Sequence, residues 1–219
     1  MSDTRIDFLY LNEKDMIDAG VLDAGHCVET MEEVLCLLAK GDVLMGGKNR
    51  REHGIQLIFP KESEIPGFPL EDSRDRRFMS MPAYLGGRFH LAGEKFYGSN
   101  GRNVRKGLPR SILMATLNDV ETGAPLAYMS ANLLSSMRTG AMPGLATKLL
   151  AREDSKVLTM LGAGPIAKAC FRAIMTNAKN IDTVKIKAGS LKSKTAAALK
   201  EFIETHYKQV KEVIICETL

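Results

Sequence analysis

The chain has 219 residues, which is enough for one large or two small domains. Hydrophobic residues make up 45% and charged residues 26% of the sequence, as is typical of a soluble globular protein. The formal net charge of +4 is too small to indicate nucleic-acid binding by itself, and no apolar run is long enough to cross a membrane.

The cysteines and the N-terminus bear on the cellular compartment. The first residues are polar and lack the apolar core of a secretory signal. No Cys-x-x-Cys pair occurs, so we expect a cytoplasmic protein with reduced thiols and with neither a disulfide nor a metal site. The four cysteines are Cys27, Cys36, Cys170 and Cys216.

Antiparallel hairpin patterns dominate the first 130 residues. Asn12 can cap a short helix, and Gly41 can end a longer helix whose apolar residues share one face. A Gly86-Gly87 turn between two strand patterns predicts a hairpin, and a charged loop is expected over Lys61–Arg77. The other predicted elements are a strand at Phe8–Leu11, a helix over Ala24–Lys40 and strands at Ile55–Phe59, Phe78–Leu85, Arg88–Tyr97, Ser111–Leu117 and Pro125–Met129.

A helix over about residues 131–150 leads into a β-α-β-α-β pattern, which predicts a parallel sheet with right-handed crossovers. The predicted elements are Val157–Leu161, Pro165–Ala178, Thr183–Lys187, Leu191–Tyr207 and Val210–Cys216. The fold class is therefore α/β, with an N-terminal α+β domain of antiparallel strands followed by a C-terminally incomplete Rossmann (doubly wound) domain. We expect a truncated protein, in which one edge of the first parallel strand lacks a partner.

A glycine-rich turn follows that first parallel strand, in the pattern Gly-x-Gly-x-x-Ala. Gly162 permits a tight turn, Gly164 leaves room for a pyrophosphate beside the backbone, and Ala167 lets the next helix pack closely. Pro165 and Ile166 open that helix, whose N-terminal N–H groups suit a diphosphate. The pattern predicts a dinucleotide site at these five residues, and an accidental glycine-rich turn is the alternative.

The end of the second parallel strand bears on which dinucleotide binds. NAD-binding sites commonly place an Asp or Glu there to hold the ribose 2′-OH. Here the sequence is Lys187-Ala188-Gly189-Ser190, which has no acid and is followed by Lys192. We therefore expect Ser190 and Lys192 to hold a 2′-phosphate, which favours NADP(H) and leaves NAD(H) as the alternative.

Four stretches of the chain resemble the ornithine cyclodeaminase/mu-crystallin family, in the family's order. They are Met81-Pro82-Ala83, the strand and loop Gly93–Asn100, Asn118–Pro125 followed by Arg138-Thr139-Gly140-Ala141, and the Gly162–Ala167 fingerprint. The resemblance covers roughly residues 5–216. An Arg-Thr-Gly-Ala sequence shortly before a dinucleotide fingerprint is quite specific.

The resemblance implies an NAD(P)-dependent enzyme that acts at the C–N bond of an amino acid or cyclic imine, by deamination or by imine reduction through hydride transfer. It also implies a homodimer, a substrate-binding and dimerisation domain over residues 1–130 and a partial NAD(P)-binding domain over 131–219. No nucleic-acid or membrane partner is expected. The alternatives are a non-catalytic NADP(H)-binding or accessory protein and an inactive fragment, because the family's acid/base aspartate would lie beyond Leu219.

The resemblance also assigns roles to residues outside the fingerprint. Lys95 is expected to face the substrate near the nicotinamide and to assist proton transfer. Arg138 is expected to bind the substrate carboxylate or a cofactor phosphate, and Thr139 to hydrogen-bond a phosphate. The alternatives are a strand lysine that points to solvent and a helix-surface arginine held in an ion pair.

Further cationic residues are candidates for anion binding. A second carboxylate-binding arginine is expected at Arg50 or Arg51, with a solvated basic loop as the alternative, and Arg77 is a weaker candidate. Arg110 and Ser111 match the position where the family contacts the cofactor or the substrate. The rest of the basic loop is expected to be either a solvated surface or a source of electrostatic steering, and comprises Arg102, Arg105 and Lys106.

Overall fold

A computed structural model describes residues 4–218, which form two compact units. The first unit comprises the described residues up to Gly20 together with Val34–Ser135. The second comprises Val21–Glu33 and the described residues from Ser136 onward. The sequence places the domain boundary after residue 130 and does not anticipate that Val21–Glu33 joins the second unit. Both units mix helices with a sheet, which confirms the α/β class.

The first unit is built on a seven-stranded sheet. Two helices, α2 (Ala24–Lys40) and α3 (Asn132–Leu150), contribute residues to both units. Among the described residues, no helix is long and apolar enough to cross a membrane. The remaining elements of the first unit are β1 (Leu9–Leu11), α1 (Glu13–Asp18), β2 (Val43–Met45), β3 (Ile55–Ile58), β4 (Arg77–Leu85), β5 (Leu91–Ser99), a 3-10 helix (Gly101–Lys106), β6 (Ser111–Asp119) and β7 (Pro125–Ser130).

The order of this sheet is β1-β7-β6-β5-β4-β2, and β3 also pairs with β4. Strand β5 lies inside the sheet, where Lys95 pairs with Met81 on β4 and with Ala115 on β6. Side chains alternate between the two faces of a sheet, so paired residues share a face. The Lys95 face therefore also carries the buried side chains of Met79 and Met129.

Several local predictions are confirmed by the structure. The Asn12 side chain accepts hydrogen bonds from the backbone of Lys14 and Asp15, which caps α1. The α2 helix has the predicted bounds and is followed by Gly41, whose φ of 79° suits a helix C-terminus. Strands β4 and β5 form the predicted hairpin.

Other predictions need correction. The strand predicted from Arg88 begins at Leu91, because residues 86–90 form the connection and His90 there has a positive φ of 44°. Arg77, predicted in a loop, is the first residue of β4 and pairs with Ser99. The β1 strand is parallel to β7, so the sheet is not wholly antiparallel. Neither β2 nor the 3-10 helix was predicted, because short elements carry too little periodicity.

The second unit is a parallel β-α-β-α-β arrangement with sheet order β10-β9-β8. Within the described residues β8 pairs only with β9, so its other edge has no strand beside it. The fully buried side chains of Phe171, Val184, Ile186 and Ile203 form the centre of the core. The elements are β8 (Val157–Leu161), α4 (Pro165–Met175), β9 (Thr183–Lys187), α5 (Lys194–His206) and β10 (Glu212–Cys216).

Three of these elements are shorter than predicted. The α5 helix begins at Lys194 rather than Leu191, because the Ser193 side chain caps it by accepting from the Ala196 N–H. The α4 helix ends at Met175, and Thr176 is its C-cap. The last strand begins at Glu212 rather than Val210, because Val210 still donates to the Tyr207 carbonyl in a turn.

Small residues bring α3 and α4 into close contact within the second unit. A Cβ added to Gly140 would lie 2.5 Å from the backbone carbon of Ala169, and one added to Gly144 would lie 2.8 Å from the Ala173 Cβ. Both residues of α3 are buried. Residues four apart lie on the same face of a helix. Gly140 and Gly144 therefore share one face of α3, and Ala169 and Ala173 share the facing side of α4. Gly140, one of the residues Arg138–Ala141, therefore has a packing role in this chain.

We expect Gly140→Ala to destabilise the protein. The added methyl group meets backbone atoms that cannot move aside, and overpacking of this kind costs about 1–3 kcal/mol. Because the clash is with backbone, we expect a cost in the upper half of this range, and helix propensity returns roughly 1 kcal/mol, so urea denaturation should show a net loss of about 1–2 kcal/mol in the free energy of unfolding. Gly189→Ala is the matched control, because Gly189 is exposed and has nothing within 4 Å of an added Cβ. An unchanged midpoint for Gly140→Ala would contradict the close contact.

Candidate functional site

Lys95 is half-buried on β5 at the edge of an apolar groove. The groove has a volume of about 390 Å³ and follows the Lys95 face of the sheet. The Lys95 Nζ lies 5.5 Å from the centroid of the Tyr97 ring. The other side chains that line the groove are mainly apolar and include Met81, Ala83, Leu85, Phe89, Leu91 and Ala115. Lys95 is thus a half-buried lysine beside an open apolar groove.

Polar residues gather where β5 ends and β6 begins. The Ser111 hydroxyl donates to the Ser99 hydroxyl at 3.1 Å, and Ser99 is buried. Arg77 lies on the same face and donates to the Asp75 carboxylate at 2.7 Å. The hydrogen bond with Tyr97 and the charge of Asp75 raise the pKa of Arg77. The Arg77 Nε is buried and has no hydrogen-bond partner among the described residues.

Arg110 is also held at this end of the sheet. Its guanidinium forms an ion pair with Asp75, which therefore binds both Arg77 and Arg110. Asp75 was not identified from the sequence. It lies in a loop, has a positive φ of 61°, and contacts an arginine far along the chain, so no local pattern could reveal it. Of the two predicted residues, Arg110 is thus held by Asp75, and Ser111 is held by Ser99.

Arg50 and Arg51 are not brought to the Lys95 groove. They line a separate pocket of about 440 Å³ beside β2, together with Val43 and Met45. Arg50 has a φ of 58°, and the Arg51 N–H donates to the Asn49 side chain at 2.9 Å, so both belong to a tight turn. Their role in substrate binding stays a prediction.

Arg138 and Thr139 lie on α3, in the second unit. Arg138 is exposed, and within residues 4–218 its guanidinium makes no ion pair. Thr139 is half-buried and does interact with neighbouring atoms. The start of the same helix is tied to β6 by Asn132, which accepts from the Leu113 N–H and donates to the Ser111 carbonyl, each at 2.8 Å.

The fingerprint forms the predicted turn between β8 and α4. Gly162 has a φ of 98°, and its N–H donates to the Lys187 carbonyl at 3.0 Å. Gly164 is the N-cap of α4 and supplies no side-chain cap, and Pro165 is the first helical residue. Ile166 is exposed, whereas Ala167 packs against the hydrophobic core. No side chain therefore caps the N-terminus of α4, and Ala167 packs its first turn against the hydrophobic core.

The backbone explains why one of these glycines is required and the other is not. An L-residue at Gly162 would be strained because of its positive φ. Gly164 has an ordinary φ of −77°, and nothing lies within 4 Å of an added Cβ. The fold therefore tolerates a larger residue at Gly164, and the space in front of it is available to a ligand.

The loop after β9 carries the residues predicted to select the cofactor. Ser190 and Lys192 are both exposed, and the Ser190 hydroxyl accepts from the Lys192 N–H at 3.2 Å. The Glu217 side chain accepts from the Leu191 N–H at 2.9 Å. Glu217 was not identified from the sequence because it follows β10, whereas the expected position of an acid is the end of β9.

A parallel βαβ unit with a glycine turn at a helix N-terminus is the arrangement of Rossmann-type dinucleotide-binding folds. The chain belongs to the ornithine cyclodeaminase/mu-crystallin family, whose family model matches residues 22–218. This match confirms the resemblance drawn from the sequence motifs.

Two curated relatives illustrate the similarity. N-((2S)-2-amino-2-carboxyethyl)-L-glutamate dehydrogenase of Staphylococcus aureus is 30% identical over 179 residues, which cover 81% of this chain and 49% of the relative. Alanine dehydrogenase of Archaeoglobus fulgidus is 32% identical over 175 residues, which cover 80% of this chain and 51% of the relative. The chain therefore spans about half the length of these relatives.

Solved structures have the same fold. Thermococcus litoralis Δ1-pyrroline-2-carboxylate reductase, in complex with NADH and L-proline, matches with a TM-score of 0.77 and 26% identity over 96% of this chain and 57% of the other. An archaeal alanine dehydrogenase dimer with bound NAD matches with a TM-score of 0.75 and 28% identity over 95% of this chain and 56% of the other. These relatives bind nicotinamide cofactors.

Proposed function

We propose that the protein is a nicotinamide-dependent oxidoreductase that acts at the carbon–nitrogen bond of a small amino acid or cyclic imine. The observation that carries this proposal is the N-terminus of α4, which no side chain caps and where nothing lies within 4 Å of a Cβ added to Gly162 or Gly164. A helix N-terminus of this kind binds a diphosphate through its N–H groups and its dipole. The family relationship and the NAD and NADH bound by similar structures support the same conclusion.

Different residues of the chain would bind the cofactor, bind the substrate and transfer a proton. Gly162–Ala167 would hold the pyrophosphate, and Thr139 would add a hydroxyl contact to a phosphate. The bound nicotinamide would supply hydride transfer. Lys95 would assist proton transfer to or from the substrate, because a half-buried lysine beside an apolar groove is suited to act as an acid or base. Arg138 would bind the substrate carboxylate or a cofactor phosphate, because its guanidinium is exposed.

The cofactor proposed is NADP(H), with NAD(H) as the alternative. Ser190 offers a hydroxyl and Lys192 an exposed ammonium group after β9, which suit a 2′-phosphate. Glu217 lies beside the Leu191 N–H and would disfavour that phosphate if it faced the ribose. A cytoplasmic location is proposed from the four cysteines, all of which are free thiols.

We expect Gly164→Ala to abolish cofactor binding while leaving the fold intact. The methyl group has no protein neighbour within 4 Å, so it would occupy the space that a pyrophosphate needs. Calorimetric titration with NADPH and then NADH should show binding to the unaltered chain and at least about tenfold weaker binding to the variant, a loss of about 1.4 kcal/mol. Circular dichroism should be unchanged.

Gly25→Ala is the control for this experiment, because it adds the same methyl group at a glycine of α2 that the proposal does not place at the cofactor, with only an ordinary contact of 3.5 Å to Asp23. Equal affinity of Gly164→Ala and the unaltered chain would contradict the proposed pyrophosphate site. A preference for NADH would overturn the choice of NADP(H) and leave the family function standing. Absence of binding to either cofactor would favour the alternative of an inactive fragment.

Lys95→Met should remove turnover without affecting NADPH or NADH binding. Loss of a proton-transfer group typically lowers the rate by about 10²–10⁴-fold, and the same size of loss is expected in initial rates with L-alanine or L-proline. Lys106→Met, an exposed lysine of the 3-10 helix, is the matched control. Retained turnover in Lys95→Met would remove Lys95 from the mechanism.

The homodimer is proposed to form through the sheet face opposite Lys95. On that face Phe78 stacks on Phe96 with ring centroids 5.9 Å apart, and Tyr10 stacks on Tyr128 at 6.3 Å. An extended apolar surface of this kind indicates a protein–protein interface. A second copy of the chain is the proposed occupant, because a similar structure is a dimer. The exposed apolar residues that share the face are Tyr10, Ile55, Leu57, Phe78, Phe96 and Ile112.

Placing a charge on this face should dissociate the dimer. Phe96→Lys puts an ammonium group at its centre, and burial of that charge would oppose association. Sedimentation equilibrium should show a dimer for the unaltered chain and a monomer for the variant. Leu57→Lys, on the more exposed β3, is expected to weaken the dimer without perturbing a central strand. Leu150→Lys is the control, since Leu150 is 83% exposed on α3, and a dimer that survives both face substitutions would exclude this interface.

A further inference from the structure

A third cavity of the first unit is lined mainly by arginines. It has a volume of about 580 Å³ and lies between the segment before β4 and the 3-10 helix. We name it the arginine pocket. Its charged or polar lining residues are Asp72, Ser73, Arg74, Arg102, Arg105 and Arg110. None of the residues proposed above to bind the pyrophosphate lies in it, and of the predicted site residues it contains only Arg110.

The walls of the arginine pocket are held by backbone and side-chain hydrogen bonds. The Gly101 N–H donates to the Arg74 carbonyl at 2.8 Å, and a Cβ on Gly101 would lie 2.8 Å from that oxygen. The Ser73 hydroxyl donates to the Asn100 side chain at 2.7 Å, and the Arg102 N–H donates to the same oxygen at 2.8 Å. The two segments that carry the arginines are therefore fixed relative to each other.

The carboxylates near the pocket neutralise only some of its arginines. Asp72 is bound by Arg76 at 2.7 Å and by Arg102 at 2.6 Å, and the hydrogen bond from Arg76 and then the charge of Arg102 lower the Asp72 pKa. Arg110 is paired with Asp75. Within residues 4–218, Arg74 and Arg105 make no ion pair, and both side chains are exposed. The pocket therefore has two guanidinium groups available to a dissolved anion.

The position of the pocket relates it to the Lys95 groove. Arg110 immediately precedes Ser111, which pairs with Ser99 at the end of β5. Lys95 lies four residues earlier on the same strand and on the same face, so its Cα is roughly 13 Å from that of Ser99 at 3.3 Å per residue. An extended small molecule with its reacting nitrogen at Lys95 would reach toward the pocket with its far end.

We propose that the arginine pocket binds the distal carboxylates of the substrate, so that the protein prefers an amino acid or imine with an acidic extension to a short apolar one. This inference rests on the proposed function, which supplies the reacting end at Lys95. Guanidinium groups suit this ligand because they bind carboxylates bidentately. Arg74 and Arg105 would be the main specificity-determining residues, since their charges are not already used by the protein.

Direct binding of citrate, a tricarboxylate probe, tests the proposal without cofactor or turnover. We expect calorimetry at low ionic strength to show citrate binding to the unaltered chain, weakened by about tenfold or more in Arg74→Gln/Arg105→Gln, because charge-assisted hydrogen bonds would be lost. Both side chains are exposed and unpaired in the described chain, so the variant should fold. Lys61→Gln/Lys106→Gln removes the same charge from exposed positions outside the pocket and should change the citrate affinity by less than about twofold.

Three results would overturn the proposal. They are no citrate binding by the unaltered chain, equal weakening in the two double variants, and pyrophosphate binding that is tighter than citrate binding and is lost in Arg74→Gln/Arg105→Gln, which would make the pocket a phosphate site. Failure of NADPH and NADH to bind would contradict the proposed function instead, and the citrate titration would still report on the pocket. The two proposals can therefore fail separately.

Discussion

Backbone pairing of β5 on both of its edges determines where almost every candidate residue of the first unit lies. All nine residues of the strand pair with β4 and with β6. The close approach of the strands depends on Gly93, where a Cβ would lie 2.4 Å from the Thr116 carbonyl oxygen. Because alternate side chains face opposite sides, a slip of one residue would exchange the groove-facing Lys95 with the aromatic Phe96.

This single register separates two kinds of surface. On one side, Lys95 lies at the edge of an apolar groove, and the hydrogen-bonded hydroxyls of Ser99 and Ser111 lie farther along the same face. On the other side, Phe96 and Phe78 stack over Gly98, where a Cβ would meet the Phe78 ring at 2.8 Å. A ligand site and an apolar contact surface can thus be built from the same three strands, because the sheet itself keeps them apart.

Local sequence patterns predicted the helices and strands that are determined by residues within the element itself. The helix Ala24–Lys40 and the strands Val157–Leu161 and Thr183–Lys187 have the predicted bounds, because amphipathic periodicity and buried apolar runs are local signals. The glycine turn at Gly162 was likewise predictable, since only its neighbours in the chain determine the strand, turn and helix. Element ends were less predictable, as at Leu91, because turn geometry and capping decide them.

The residues that the sequence did not reveal are those defined by contacts across the fold. Asp75 acquires its role only when β4 and β6 are brought together with β5 between them, since its two arginine partners come from different segments. The Asp75 carboxylate between Arg77 and Arg110 offsets part of the repulsion between the two guanidinium groups. Arg74 and Arg105 receive no such carboxylate among the described residues. The distribution of carboxylates, rather than the number of arginines, therefore decides which part of this basic surface retains charge for a ligand.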